Sequence, residues 1–365
     1  LRQCFLLKQA AGKVHGVDFS YCEGTNLESL LSFVLPGNAV IGRIQKIRYI
    51  HSEMEKKDSN YRVLVTGANG QLGKSFQNIQ TAYPEFEFVW ANSSDLDISK
   101  ANSVKHYFDQ HALYACINCA AYTAVDRAES EPDAARAVNE TGVLNLANAC
   151  SKQGIPLVHF STDYVYHGNQ NTPFKETDPV GPKSVYAQTK LAGENLALAN
   201  NPTTMIIRTS WVYAPWGHNF VRTMMRLGAE REELSVVYDQ VGSPTYAPDL
   251  AMAVLDILRQ LLAGDVSEGL LRGIWHYSNE GVASWYDFAA AVFELEGLSC
   301  DLKPIETHEF PTPAPRPAYS LLNKYKIKTA FHLEIPYWRE SLKTCLHAIP
   351  QQAPSRTNQP GDSSE

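Results

Sequence analysis

From Tyr61 onward the chain alternates short apolar runs with longer amphipathic stretches. The β-branched run Arg62–Thr66 predicts a strand, and a glycine-punctuated turn and a helix-compatible stretch follow it. Phe86–Trp90 and Ala115–Cys119 predict two more strands, with a helical pattern around Ser103–Phe108 between them. Helix-like 133–152 leads into Pro156–Phe160, and helix-like 184–199 into Thr204–Arg208. Strands that alternate with helices of this length form βαβ units, so the expected class is α/β, a doubly wound parallel sheet covered on both faces.

Beyond about Val212 the alternation loosens. A helical stretch at 217–232 precedes a strand-like region at Leu234, and an amphipathic helix is expected at 249–263 through Leu250, Ala253, Val254, Ile257, Leu258 and Leu261. Trp285–Leu295, a Pro-dense run at 311–317 and a section at 327–346 complete a smaller C-terminal substrate-binding lobe. The expected division is a nucleotide-binding domain at 61–215, joined by parts of 235–265, and a lobe at 216–349. Residues 1–60 form an unassigned extension with eight Lys+Arg and six Asp+Glu. Within it lie a strand candidate at Ala39–Ile50 and a polar linker ending at Asn60. The tail 350–365, rich in Pro, Gln, Ser and Gly, is expected to be disordered.

Composition narrows the class of protein. With 19% charged and 44% hydrophobic residues in 365, the chain is neither disordered nor fibrous. No run of eighteen apolar residues predicts a membrane span, and the apolar core of Leu1–Lys8 is too short for a signal peptide. The net charge of -7 argues against a general nucleic-acid partner. Seven cysteines make no disulfide framework, so a cytoplasmic, reducing setting is expected.

Gly67-Ala68-Asn69-Gly70-Gln71-Leu72-Gly73 has the spacing GxxGxxG directly after a strand and at the opening of a helix. The first glycine permits the tight turn, the second lets backbone approach a pyrophosphate, and the third lets the helix pack close. This makes the sheet a Rossmann-type dinucleotide binder, with NADPH or NADH as cofactor. It is not a P-loop, because no Gly-Lys-Ser/Thr follows. After the second strand, Ala91–Asp95 offers no carboxylate at the strand end to clasp an adenine ribose, which tilts the expectation toward NADPH. Asp97 is placed either to contact the adenine side or to cap a helix.

Tyr186 and Lys190 stand four residues apart on one helix face. A lysine cation favours a phenolate, which is expected to lower the tyrosine pKa toward proton transfer. Upstream, Phe160–Tyr166 is a strand end that offers a hydroxyl to a substrate oxygen. Cys116 and Cys119, three apart on a strand, point to opposite faces and predict neither redox nor metal chemistry. No metal site is predicted.

These features resemble the extended short-chain dehydrogenase/reductase superfamily. Four stretches narrow the resemblance to the dTDP-4-dehydrorhamnose reductase family: Asn118–Glu129, Ser161–Val165, Arg208–Tyr213 and Asp239–Thr245. Pro313–Pro317 and Leu322-Asn323 fit the same family, and the likeness runs from about Arg62 to His347. It implies reduction of the C4 ketone of a nucleotide sugar, with Thr162 as hydroxyl donor, Tyr186 as general acid and Lys190 as its ribose-binding partner. It further implies sugar contacts at Val125, Asp126, Asp163, Tyr164 and Trp211, with Asn219 and Arg316 weaker candidates, and cofactor contacts at Ala120, Ala121, Tyr122 and Asn139. The alternative reading of Trp211 is core packing. Some family members bridge a dimer through Mg²⁺. Lys74-Ser75-Phe76 lacks the acid this needs, so a homodimer stays open but a metal-bridged one is not expected. A nucleotide-sugar epimerase or dehydratase, and a non-catalytic subunit like the regulatory subunit of methionine adenosyltransferase, are the alternatives.

Overall fold

The computed structural model describes residues 61–168 and 170–350. The strand candidate at Ala39–Ile50, the linker before Tyr61 and the tail after Pro350 lie outside the described residues.

Six parallel strands form the central sheet: β1 (Tyr61–Thr66), β2 (Phe86–Ala91), β3 (Ala115–Asn118), β4 (Leu157–Thr162), β5 (Thr204–Thr209) and β6 (Gly273–His276). Their order is β6-β5-β4-β3-β1-β2, with Val63 opposite Ala115 and Met205 opposite Val158 in register. The α-helices of five or more residues are α1 (Gln71–Ile79), α2 (Ala101–Gln110), α3 (Val125–Ser130), α4 (Pro132–Arg136), α5 (Val143–Gln153), α6 (Val185–Asn200), α7 (Phe220–Glu230), α8 (Ala247–Ala263), α9 (Trp285–Glu296), α10 (Tyr325–Phe331) and α11 (Trp338–Ala348).

The period-2 alternation of the strands decides which helices cover which face. Val63, Val65, Ile117, Met205 and Ile207 pack with Phe76 of α1 and with Leu250, Val254 and Leu258 of α8. Leu64, Cys116 and Ile206 turn the other way, onto Val104 of α2, Leu146 of α5 and Ala197 of α6. A separate core in the C-terminal lobe joins Val221 of α7, Phe288 and Val292 of α9, and Leu342 and Leu346 of α11. Thus α8, although late in sequence, is a helix of the sheet.

β6 is the strand that the hydrophobic pattern does not announce. It is four residues long, begins at a glycine with φ 127° and ends on the buried His276. Its four residues hold only Ile274 and Trp275 between a glycine and a histidine, too little apolar pattern to mark a strand. Its place beside β5 comes from tertiary packing, including Trp275 against Phe331 of α10.

One buried ion pair ties α6 to β5. Arg208 donates to both Glu194 oxygens, from Nη2 at 2.6 Å and from Nε at 3.0 Å, and donates from Nη1 to the Tyr166 hydroxyl at 2.6 Å. Removing one partner strands the other charge in the interior. Glu194→Gln should therefore lower unfolding free energy by about 3–5 kcal/mol in urea titration, and a loss below about 1 kcal/mol, the level of a solvent-exposed pair, would contradict this account.

Candidate active site

The glycine turn follows β1. Gly67 adopts φ 63°, and a Cβ there would lie 2.6 Å from the Ala120 backbone nitrogen, so no other residue makes this turn under the end of β3. A Cβ on Gly73 would lie 2.6 Å from the Ala68 Cα, so its absence lets α1 start hard against the loop. No side chain caps α1 at Gly70, which leaves first-turn N–H groups and the helix dipole to a phosphate. These features fit a dinucleotide.

The lobe grips this loop from the other side. The Gln71 carbonyl accepts from Trp216 Nε1, and Gln71 Oε1 accepts from Asn219 Nδ2, both at 2.9 Å. Asn219 also caps α7 by accepting from the Arg222 backbone N–H at 3.1 Å. Its side chain thus positions the loop. Asn69 is exposed at the turn, and Leu72 packs under the sheet. Asp97 accepts from the Ser99 hydroxyl at 2.6 Å and pairs with Lys100 at 3.0 Å in the turn ahead of α2, whose N-cap, Lys100, makes no side-chain cap bond.

Thr162 ends β4, while α6 carries Tyr186 and Lys190. The helix is anchored twice at its start: Ser184 Oγ accepts from the Ala187 N–H at 3.2 Å, and Glu129 Oε1 accepts from the Val185 N–H at 2.8 Å. The Thr162 hydroxyl donates to Asp163 Oδ1 at 3.0 Å, accepts from the Tyr164 N–H at 3.2 Å and lies close enough to the Tyr186 phenol to favour its ionised form. The Tyr164 ring meets Tyr186 edge-on at 6.1 Å.

The electrostatics correct one expectation. Lys190 was expected to lower the tyrosine pKa, but burial pushes Tyr186 up to about 12, Asp163 adds to the rise, and only Thr162 opposes it. Lys190 instead donates to the Phe160 carbonyl at 2.6 Å. The phenol is thereby kept protonated, as a proton donor must be. Lys190 is 2% exposed, and burial pushes it down to about 8 against the pull of Glu194.

Behind the lysine lies a buried relay absent from the sequence reading. Asn118 Oδ1 accepts from the Thr66 hydroxyl at 2.7 Å and from the Ala120 N–H at 3.1 Å. Asn118 Nδ2 stands 3.0 Å from His159 Nδ1, and His159 Nε2 stands 3.4 Å from Lys190 Nζ. Burial, then the Lys190 charge, hold His159 well below the ordinary imidazole range, so it is neutral. The available signal was a histidine inside the apolar run Leu157–Phe160, since a polar side chain in a buried strand requires a partner.

Asn139 sits in a π-helical turn, Ala137–Gly142, between α4 and α5. It accepts from the Tyr122 N–H at 2.9 Å and donates to the Tyr122 carbonyl at 3.1 Å and to Thr189 of α6 at 3.3 Å. It therefore holds the backbone after Ala120 and Ala121 to the helix bearing Tyr186.

At the mouth of the site, Asp126, next to Val125 at the start of α3, takes a bidentate bond from Arg316 at 2.6 and 2.7 Å and accepts from the Ala314 N–H at 3.1 Å. This clamps the Pro-dense run over α3. Trp211 has the left-handed φ 49°, a costly conformation for a bulky residue. Its ring stacks on Trp285 at 3.6 Å, so one face serves the lobe core. Asp163 is buried, with Oδ2 sealed from solvent, and the lowering pull of Ser320 and then Thr162 does not offset the burial. Among the described residues no three His, Cys, Asp or Glu side chains converge as a metal site.

A glycine-turn dinucleotide fold with Thr162, Tyr186 and Lys190 at the strand ends defines an NAD(P)H-dependent oxidoreductase of the extended short-chain dehydrogenase/reductase superfamily. The family model described as the RmlD substrate binding domain matches residues 61–350. The chain is 41% identical over 292 residues to a dTDP-4-dehydrorhamnose reductase of Sinorhizobium fredii, covering 79% of this chain and 97% of that protein. It is 39% identical to the spore coat polysaccharide biosynthesis protein SpsK of Bacillus subtilis, covering 78% of this chain and 96% of that protein. A solved dTDP-4-dehydrorhamnose reductase from Clostridium acetobutylicum superposes with a TM-score of 0.74 at 41% identity, covering 80% of this chain and all of that one. Another, from Bacillus anthracis in complex with NADP, gives 0.74 at 37% identity, covering 79% of this chain and 99% of that one. The chain belongs to the dTDP-4-dehydrorhamnose reductase family.

Burial raises Asp163 from the ordinary carboxyl value to about 7. Between about pH 4 and 7 the unfolded chain gives up this proton while the folded chain keeps it, so stability falls as pH rises through that window and is level above it. Asp163→Asn should remove this contribution. Its unfolding free energy relative to the native chain should rise from pH 4 to 7, and parallel pH curves would refute the assignment.

Proposed function

We propose that this chain catalyses reduction of the C4 ketone of dTDP-4-dehydro-L-rhamnose to dTDP-L-rhamnose, with NADPH as the preferred reductant. The observation that carries the reading is the meeting of Thr162 and Tyr186 at the end of β4, with Lys190 one helical turn on, beside the glycine loop. It stands in a chain 40–41% identical to several dTDP-4-dehydrorhamnose reductases over 86–97% of their length.

The bound nicotinamide supplies the hydride. Negative charge then grows on the sugar C4 oxygen; Tyr186 donates a hydrogen bond to it, Thr162 does so by rotating its one hydroxyl proton away from Asp163, and the Tyr186 proton then completes the alcohol. Donors fixed before charge develops cost no reorganisation, and each contributes several kcal/mol to such steps. Lys190 stabilises the tyrosinate and holds the nicotinamide ribose. Gly67, Gly70 and Gly73 with the start of α1 hold the pyrophosphate, while Ala120, Ala121 and Tyr122 flank the cofactor. Val125, Asp126, Asp163, Tyr164 and Arg316 shape the sugar-nucleotide side, and Trp211 walls it from water. The preference for NADPH rests on the turn after β2. There the residue that follows the strand is Asn92, whose Oδ1 accepts from the Ser94 hydroxyl, and not the Asp or Glu that would clasp an unphosphorylated adenine ribose.

The dehydratase reading is weaker, because the residue after Asp163 is Tyr164 where that chemistry needs a second acid. Solved dehydratases and an epimerase at 19–21% identity share the fold alone. The intact Thr162, Tyr186 and Lys190 disfavour a non-catalytic subunit.

The test is nicotinamide oxidation with dTDP-4-dehydro-L-rhamnose, followed by absorbance with NADPH and NADH in parallel. Tyr186→Phe should cut kcat by about 10²–10⁴-fold while cofactor affinity holds. Native protein that binds both nucleotides yet turns over neither would overturn the substrate assignment.

A further inference from the structure

The relay behind Lys190 has a determinable proton map. Asn118 Oδ1 lies 3.1 Å from the Ala120 backbone N–H, which can only donate. The amide orientation is therefore settled, and Nδ2 is the atom facing His159 Nδ1 at 3.0 Å. His159 Nδ1 must accept. In a neutral imidazole the proton then sits on Nε2, the atom 3.4 Å from Lys190 Nζ.

A donor thus faces the lysine. An ammonium has three donors and no acceptor, so it meets the Nε2–H unfavourably. A neutral amine accepts from that N–H and still donates to the Phe160 carbonyl, 2.6 Å away. We propose that His159 is a positioning residue: locked as the Nε2–H tautomer by Asn118 and Thr66, it favours the amine form of Lys190 and so sets the pH at which that side chain changes charge. The charged and titratable groups around Lys190 are few. On α6 they are Tyr186 and Glu194, and Glu194 is committed to Arg208 of β5. β4 contributes His159 and, beside Tyr186, Asp163. β3 contributes only the neutral Asn118. Burial of the ammonium acts in the same direction as the histidine. The functional side of this inference rests on the reductase reading; the tautomer does not.

The first measurement is a two-bond ¹⁵N–¹H histidine spectrum of the full chain. His159 is assigned among the eleven histidines by its loss in His159→Gln. The expected native pattern is Nε2–H, with a resonance that shifts as Lys190 titrates and stops shifting in Lys190→Met. An Nδ1–H pattern in the native protein, or a titration that survives in Lys190→Met, overturns the proposal. Neither readout needs substrate, so a failed reductase assignment is distinguished from a failed relay.

The second measurement uses Asn118→Asp. A carboxylate cannot donate to Nδ1, so the histidine proton must move to Nδ1 and leave an Nε2 lone pair facing Nζ. The alkaline limb of turnover, where Lys190 gives up its proton, should then move up by about one pH unit or more, together with a switch to the Nδ1–H pattern. A tautomer that switches while the limb stays put refutes control by His159. A limb that moves without the switch assigns the effect to the new carboxylate and also refutes it. Should Asn118→Asp not fold, the native and Lys190→Met spectra still decide.

Discussion

A lysine must be buried at the end of a β-strand, and much of the surrounding architecture answers that constraint. Lys190 lies against the interior strand β4 with a single backbone carbonyl within hydrogen-bond reach. A buried ammonium in a hydrocarbon setting is costly, so the helix bearing it has to be held close enough for that carbonyl to be reached. Gly193 allows the approach, since a Cβ there would collide with the Asn139 carbonyl. Asn139 lies in the π turn, where the widened backbone lets its side chain bridge the Tyr122 peptide and Thr189. Unusual helical geometry at a working site is the expected place for it.

The second organising feature is the way the C-terminal lobe fastens to the nucleotide-binding sheet. Three fastenings differ in chemistry and place. Trp216 and Asn219 hold Gln71 at the glycine loop, Arg316 holds Asp126 at the mouth, and Asn279 and Ser341 share Asp249 at the start of α8, at 2.7 and 2.5 Å. Two of the three clasp segments assigned to cofactor or sugar. The lobe is therefore registered against the glycine loop and the start of α3, rather than against the sheet's core alone.

How much of this the sequence shows depends on whether a feature is local. The first five strands, the glycine turn and the Tyr186–Lys190 pair are written in contiguous residues with a period or a spacing, and each appears where the pattern places it. β6 is not, because Gly273 and His276 leave only two apolar residues between them. His159 and Asn118 were legible only as polar residues in buried strands; their partnership needs three adjacent strands and a helix to be in place. The pKa of Tyr186 was misjudged for the same reason. Sequence spacing brings Lys190 to the same helix face, but depth of burial and the aim of the ammonium are tertiary facts, and they reverse the sign.

The collision at Gly193 and the Lys190–Phe160 bond lie on α6 three residues apart, and together they fix the rotational phase of the helix. One added or deleted residue between Tyr186 and Gly193 turns everything beyond it by about 100°. The phenol and the glycine notch cannot then both face their partners. The stretch before Ser184 carries no such phase, since its end is set by the two caps. Length variation among natural or engineered relatives should therefore gather ahead of Ser184 and be excluded from the span 186–193, a spacing rule imposed by the back of the helix.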